Sequence, residues 1–280
     1  IKKFAIKNEI EFFDPYKNKG LLKSLMIKIT STKNIMVLLQ FGSQSDFIYE
    51  LLSFLKNSFQ NINSILYVIN SKPNDSIYDQ KVNLFFGKDY IIEEICGLRF
   101  KISAKTFFQT NSIQAEKLFY LVKKFLEPNK NDILYDLYTG IGTIGQILSK
   151  DVKKVIGIDV VEDSISYATE NSKLNNLSNT KYFAGNMKDV FTEDFIKQNG
   201  KPSVSIINPP REGIDKKVIE KIIDILPKKI VYVSCNSSTL ARDLAIFEKK
   251  YEISKLQTVD MFPHTSHVEN VVLLKKIINV

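Results

Sequence analysis

The spacing of apolar and polar positions divides the chain into two stretches of different character. Between about residues 20 and 100 it predicts strand, strand, helix, strand, strand: Leu22 to Thr30, Asn34 to Phe41, an amphipathic helix near Asp46 to Phe59, Ser64 to Asn70, and Lys81 to Phe86. That order fits a small α+β domain, expected over residues 1–97. A helix opening at Asn111, with Leu118, Leu121, Val122 and Phe125 on one stripe, leads into a second domain expected over residues 98–280. From Asp132 onward β-branched runs alternate with helical periods, which calls for an α/β fold, a mostly parallel sheet with helices on both faces. The last two runs, Ile253 to Met261 and Val268 to Lys275, are joined by a loop too short for a helical crossover and should pair antiparallel.

The ends of these strands carry the candidate chemistry. Lys229-Ile-Val-Tyr-Val reads as a buried parallel strand and Ser234-Cys235-Asn236 as the polar break after it. Cys235 is therefore expected at the carboxyl edge of the sheet, where α/β enzymes place their reactive groups. Standing alone, such a cysteine would be read as a small buried hydrophobe. It does not stand alone. Gly140-Ile-Gly142-Thr-Ile-Gly145 follows a strand and opens a helix, and Asp159 ends the next strand about 20 residues on, the arrangement that lets backbone approach a nucleotide and a carboxylate hold its ribose. This fingerprint leaves a dinucleotide and S-adenosylmethionine both open. Asn208-Pro209-Pro210-Arg211, after the fourth strand, favours the second, because an Asn-Pro-Pro turn resembles the substrate-facing motif of methyltransferases acting on nucleobases or amides.

Five motifs occur in order: Phe107-Phe-Gln-Thr-Asn111, Asp136-Leu-Tyr-Thr-Gly-Ile-Gly142, Asn208-Pro-Pro-Arg211, Ser234-Cys-Asn236, and Asp260-Met-Phe-Pro-His-Thr-Ser-His-Val-Glu269. Together they resemble the bacterial class I RNA (uracil-5-)-methyltransferase family, most closely its ribosomal RNA branch, which makes 5-methyluridine in 23S ribosomal RNA. The likeness runs from about residue 98 to the end and implies a Rossmann-like methyltransferase sheet. It also implies that Cys235 is the nucleophile and Glu269 the base. Gln109, Tyr138, Asp159 and Asn208, with Thr143 and Asn186 as companions, are the implied binding residues for S-adenosylmethionine. Asn186, in Gly185-Asn186-Met187, follows the third strand, where adenine contacts usually fall. Thr139 stands where many relatives have cysteine and Asn208 where many have aspartate, asparagine there being a feature of the ribosomal branch. Relatives commonly carry an N-terminal β-barrel that binds RNA, and many hold an iron-sulfur cluster on four cysteines. This chain has neither, so only modest RNA affinity is expected of it.

Composition narrows the rest. With 44% hydrophobic residues, no apolar run of about 18 and no signal-peptide pattern, a soluble cytoplasmic monomer is expected. Cys96 and Cys235 are the two cysteines, too few for a disulfide framework or a four-thiolate cluster. His264, His267 and Glu269 lie within six residues, but alternate side chains of a strand edge diverge and no further Cys or His ligand is at hand, so no metal is expected. The net charge of +8 suits a polyanion. Eight lysines (2, 3, 7, 17, 19, 23, 28 and 33) among the first 34 residues make that segment a candidate for phosphate contact, with a solvated basic face as the plain alternative. RNA is the expected partner, 23S ribosomal RNA first and transfer RNA second. An amino-group methyltransferase on adenine or glutamine would also use Asn-Pro-Pro, but it usually follows the prolines with an aromatic and has no use for Cys235. A catalytically silent RNA-binding module is the remaining alternative, opposed by the intact glycine turn and its acid.

Overall fold

The computed structural model describes residues 1–278 and resolves two compact units, Ile1–Glu94 with Lys101–Thr106, and Ile95–Phe100 with Phe107–Val280. In the first unit a short helix α1 (Lys2–Lys7) precedes β1 (Leu22–Ile29), β2 (Ile35–Phe41), α2 (Phe47–Ser58), β3 (Ser64–Ile69) and β4 (Asn83–Gly87). The five elements expected after residue 20 occur in the expected order, each within two residues of its predicted limits. Their sheet runs β1-β2-β3-β4, with β2 and β3 parallel and the outer strands antiparallel. Helix α2 makes the crossover between the parallel pair, and its Ile48, Leu51, Leu52 and Leu55 are buried in one cluster with Val37, Leu39, Phe41 and Ile65.

The chain passes from this unit through β5 (Tyr90–Ile95) and β6 (Leu98–Ser103), a two-stranded sheet turned at Cys96-Gly97, where φ is +51° and +72°. Two of the eight lysines are occupied inside the first unit. Lys28 Nζ donates to the carbonyls of Ser103 (2.8 Å) and Thr106 (3.0 Å), and burial pulls it down to about 8. Lys23 donates to the carbonyls of Asn70 and Lys72 and lies over the Phe13 ring. The basic segment is therefore narrower than the lysine count implies, with Lys17 and Lys19 remaining exposed.

The second unit is the expected α/β sheet. Helix α3 (Ser112–Leu126) is capped by the Asn111 side chain, which accepts from Gln114 N, and buries Leu118, Val122 and Phe125 of its predicted stripe. There follow β7 (Ile133–Leu137), α4 (Thr143–Leu148), β8 (Lys154–Asp159), α5 (Glu162–Leu174), β9 (Thr180–Ala184), α6 (Met187–Val190), α7 (Glu193–Asn199), β10 (Val204–Ile207), α8 (Lys216–Ile225), β11 (Lys229–Ser234), α9 (Ser237–Phe247), β12 (Tyr251–Val259) and β13 (Glu269–Lys276). Strand order is β12-β13-β11-β10-β7-β8-β9, parallel except that β13 runs antiparallel to both its neighbours, as the short final loop requires. Alternate residues of the strands serve opposite faces. Tyr135, Leu137, Ile156, Ile207, Ile230 and Tyr232 pack with α8 and α9, while α3 lies against β11 and β13. Successive strands step outward in one direction from β7 through β9 and then restart at β10 on its other side. That reversal makes a switch point between β7 and β10, where open α/β sheets leave a crevice.

Candidate active site

The crevice is built first by the glycine turn. Tyr138, directly after β7, has φ +61°, a left-handed conformation uncommon for a large side chain and characteristic of functional turns. Gly140 follows at φ +55°, and a Cβ there would meet nothing within 4 Å, so its outer side is open for a ligand. Gly145 is needed for the opposite reason. A Cβ on it would lie 2.8 Å from Asp136 Oδ2 and 2.9 Å from Val155 Cγ1, so α4 can pack this closely on β7 and β8 only without a side chain. Asp136 is buried and accepts from Thr139 Oγ1 (2.6 Å) and Gly145 N (3.0 Å). Desolvation nevertheless raises its carboxyl to about 6.

Asp159 closes the other side of the turn, its Oδ2 accepting from Gly140 N (2.8 Å) and its Oδ1 from Val161 N (3.0 Å). Both oxygens keep acceptor capacity toward the crevice, since a carboxylate offers about four lone-pair sites. A cleft of about 820 Å³ opens here, lined by Tyr138, Val160, Asn186, Met187, Ile214 and Asp243 among others, within the size range of small-molecule sites. Of the six expected cofactor residues, Tyr138 and Asn186 are in its wall and Asp159 stands next to Val160. Thr143 is the first residue of α4, Asn208 follows β10 with its N–H donating to Leu137 O (3.3 Å), and Gln109 is half-buried in the coil before α3; these three, like Asp159 itself, lie outside the wall. The Asn186 side chain caps α6 by accepting from Lys188 N (3.0 Å).

Cys235 and Glu269 converge at the same edge. Strands β11 and β13 end their pairing at Ser234 opposite Asn270, so Cys235 directly follows, and Glu269 directly precedes, the last paired residue of its segment. Both are half-buried. Desolvation raises the Glu269 carboxyl to about 7, with the charge of Arg211 acting the other way. Asn111 Nδ2 donates to Met261 O (3.0 Å), so the Phe107–Asn111 stretch is fastened to the loop that leads into Glu269. His264, at φ +71°, and His267 are exposed.

Residues 76–277 match the model of the tRNA (uracil-5-)-methyltransferase family. The chain belongs to that family. It is 43% identical over 279 residues to an uncharacterised RNA methyltransferase of Bacteroides thetaiotaomicron, covering 98% of this chain and 62% of the relative. A second relative, from Porphyromonas gingivalis, is 48% identical over 266 residues, covering 94% and 57%. The chain thus spans about three fifths of the length of these relatives. Among solved structures, the Pyrococcus abyssi tRNA (uracil-54, C5)-methyltransferase in complex with S-adenosyl-L-homocysteine superposes with a TM-score of 0.82 at 30% identity, covering 98% of this chain and 64% of that one.

The role of Asn236, read only as part of the cysteine motif, and Asp243 altogether escaped the sequence reading. Asn236 caps α9, accepting from Ser238 N (3.0 Å), while its Nδ2 donates to Arg211 O (3.0 Å). Asp243 is fully buried and accepts from Tyr232 Oη (2.7 Å) and Ile214 N (2.8 Å). A signal for Asp243 existed. It occupies a position on the apolar stripe of α9 beside Leu240, Leu244 and Phe247, and a carboxylate there needs buried partners.

Proposed function

We propose that this chain carries the catalytic site of a cytoplasmic RNA methyltransferase that forms 5-methyluridine, with S-adenosylmethionine as methyl donor. The observation that carries this reading is the pairing of Ser234 with Asn270, which brings the residues adjoining that pair, Cys235 and Glu269, to the same edge of the sheet as the glycine turn. The cleft fits the donor: Asp159 is suited to its ribose hydroxyls, Tyr138 to a wall of the methionine pocket and Asn186 to the adenine side, with Gln109, Thr143 and Asn208 as further contacts. Amino-group methylation would leave the cysteine and the glutamate without a task. No helix among the described residues is long and apolar enough to cross a membrane.

The chemistry requires both groups. Carbon 5 of uracil is a weak nucleophile, whereas carbon 6 is electrophilic through conjugation with the carbonyl at carbon 4. The Cys235 thiolate forms a bond to carbon 6, and carbon 5 becomes an enolate carbon able to accept the methyl group that S-adenosylmethionine supplies when bound. Glu269 then takes the proton from carbon 5, and the released electron pair restores the double bond and expels the thiolate. Burial of Glu269 suits this task, because a carboxyl that titrates near 7 is a stronger base than an exposed one. A uridine in a stem must be extruded or presented in a loop to reach the thiol.

The substrate we infer is 23S ribosomal RNA, supported by asparagine at position 208 in the Asn-Pro-Pro-Arg motif. The likeness to the Pyrococcus abyssi transfer RNA enzyme favours a second reading, a uridine of transfer RNA. Mapping 5-methyluridine in total RNA from cells with and without the gene separates the two. Loss of the modification at a 23S uridine is expected, loss confined to transfer RNA would establish the second reading, and an unchanged map would overturn both.

A further inference from the structure

The loop between β10 and α8 supplies Glu212, Gly213, Ile214 and Asp215 to the wall of the cleft, and a single buried acid holds it from behind. Asp243, on α9, is fully buried. Its Oδ2 accepts from Ile214 N (2.8 Å) and Tyr232 Oη (2.7 Å), and its Oδ1 accepts from Arg242 Nε (2.9 Å). Arg242 Nη2 donates to Glu212 O (2.8 Å), so two adjacent residues of α9 hold the loop on either side of Gly213. Gly213 has φ +77°, and a Cβ there would lie 2.6 Å from both Arg242 Nη2 and Asp243 Oδ2, so loop and helix have no spare room between them. The lip of the loop has a second tie, because Asp215 pairs with Lys188 (2.8 Å), another residue of the wall. That pair is partly exposed on both sides and contributes little, whereas the bonds to Asp243 are out of water and costly to leave unmade.

We propose that Asp243 is a positioning residue for the methyl-donor site, fixing the Glu212–Asp215 loop as a preformed wall of the cleft. A carboxylate on the apolar stripe of α9 carries a desolvation cost that a leucine would avoid. What it secures is the loop backbone at Ile214, beyond the stretch that Pro209 and Pro210 already stiffen. The inference rests on the reading of the cleft as the S-adenosylmethionine site, and its test needs neither RNA nor turnover.

The probe is S-adenosylhomocysteine, with its Kd measured by calorimetry and the amide exchange of Ile214 followed by NMR in the same proteins. Asp243→Ala removes the acceptor of Ile214 N, so exchange there should accelerate and Kd should rise about tenfold, because binding must then also order the loop. Asp243→Asn, with its amide oxygen at the Oδ2 position, still accepts from Ile214 N and Tyr232 Oη and should bind close to wild type. Tyr232→Phe lowers stability without touching the loop, and should leave both Kd and the Ile214 exchange unchanged. If Asp243→Ala does not fold, Gly213→Ala decides the question by wedging a methyl group between loop and helix, with the same rise in Kd expected. An unchanged Kd in the folded variant, or an Ile214 amide still protected in Asp243→Ala, overturns the proposal. An equal rise in Asp243→Asn or Tyr232→Phe overturns it too, since it marks a general loosening. Failure of the wild type to bind S-adenosylhomocysteine would instead overturn the reading of the cleft.

Discussion

Glu269 occupies the first position of β13, close enough to the sheet to lose water and close enough to the edge to face a substrate. Because its carboxyl titrates near 7, the proposed base is about half ionised at neutrality and mostly protonated below it. The base acts after methyl transfer, so kcat should rise about tenfold per pH unit below about 7 and then level off where elimination limits turnover, and a kcat profile already flat from pH 5.5 would contradict that assignment. The same burial has a cost in stability with a definite sign. A carboxyl raised from 4.5 to about 7 in the folded chain gives stability that is complete below 4.5 and is lost as pH rises through 7. Replacement by Gln should therefore improve stability at pH 8 relative to pH 4.5 by about 1–2 kcal/mol, allowing for solvent around the half-buried group, as read from denaturation at the two pH values. The positions of Cys235 and Asp159 were legible in the sequence, since a polar break after a β-branched run marks a strand end. The tie from Asn236 to Arg211 was not, because it joins residues 25 apart that meet only once two parallel strands are aligned.

The element that most limits substitution is the joint between β7 and α4. Gly145→Ala would push a methyl group against the buried Asp136 carboxylate and Val155, an overpacking worth about 1–3 kcal/mol. Chemical denaturation should show that loss together with weaker binding of S-adenosylhomocysteine, and unchanged stability would mean that the helix can move aside. The spacing of this turn was fully readable, because glycines between a strand and a helix are a local signal. The hairpin of β5 and β6 was not anticipated, and its composition explains why. Ile91, Glu93 and Ile95 form the buried row of β5, so a glutamate interrupts the apolar period. Its carboxylate accepts from Ser31 N (2.9 Å) and Glu94 N (2.9 Å), partners that no periodicity discloses.

At the scale of the whole chain, topology brings motifs far apart in sequence to one sheet edge. The reversal of strand order between β7 and β10 places the glycine turn and the Asn-Pro-Pro-Arg loop on neighbouring strands, and β13 returns Glu269 to the strand that ends at Ser234, just before Cys235. The order of motifs was legible along the sequence, whereas which of them face one another depends on register. Registers are set by the buried faces of the whole sheet. Charge was the least informative feature at this scale: of the lysines counted near the N-terminus, Lys23 and Lys28 hold the fold of the first unit. The central claim is that Cys235 and Glu269 act in succession on one uracil. It is tested most directly by incubating the Glu269→Gln variant with S-adenosylmethionine and ribosomal RNA, followed by denaturing electrophoresis and mass spectrometry of the cross-linked peptide. A stable protein-RNA adduct joined through Cys235 and carrying the transferred methyl group is expected, because addition proceeds and elimination stalls, and Cys235→Ala in the same background should abolish it. RNA that binds without forming an adduct, or an adduct that survives loss of Cys235, would contradict the account.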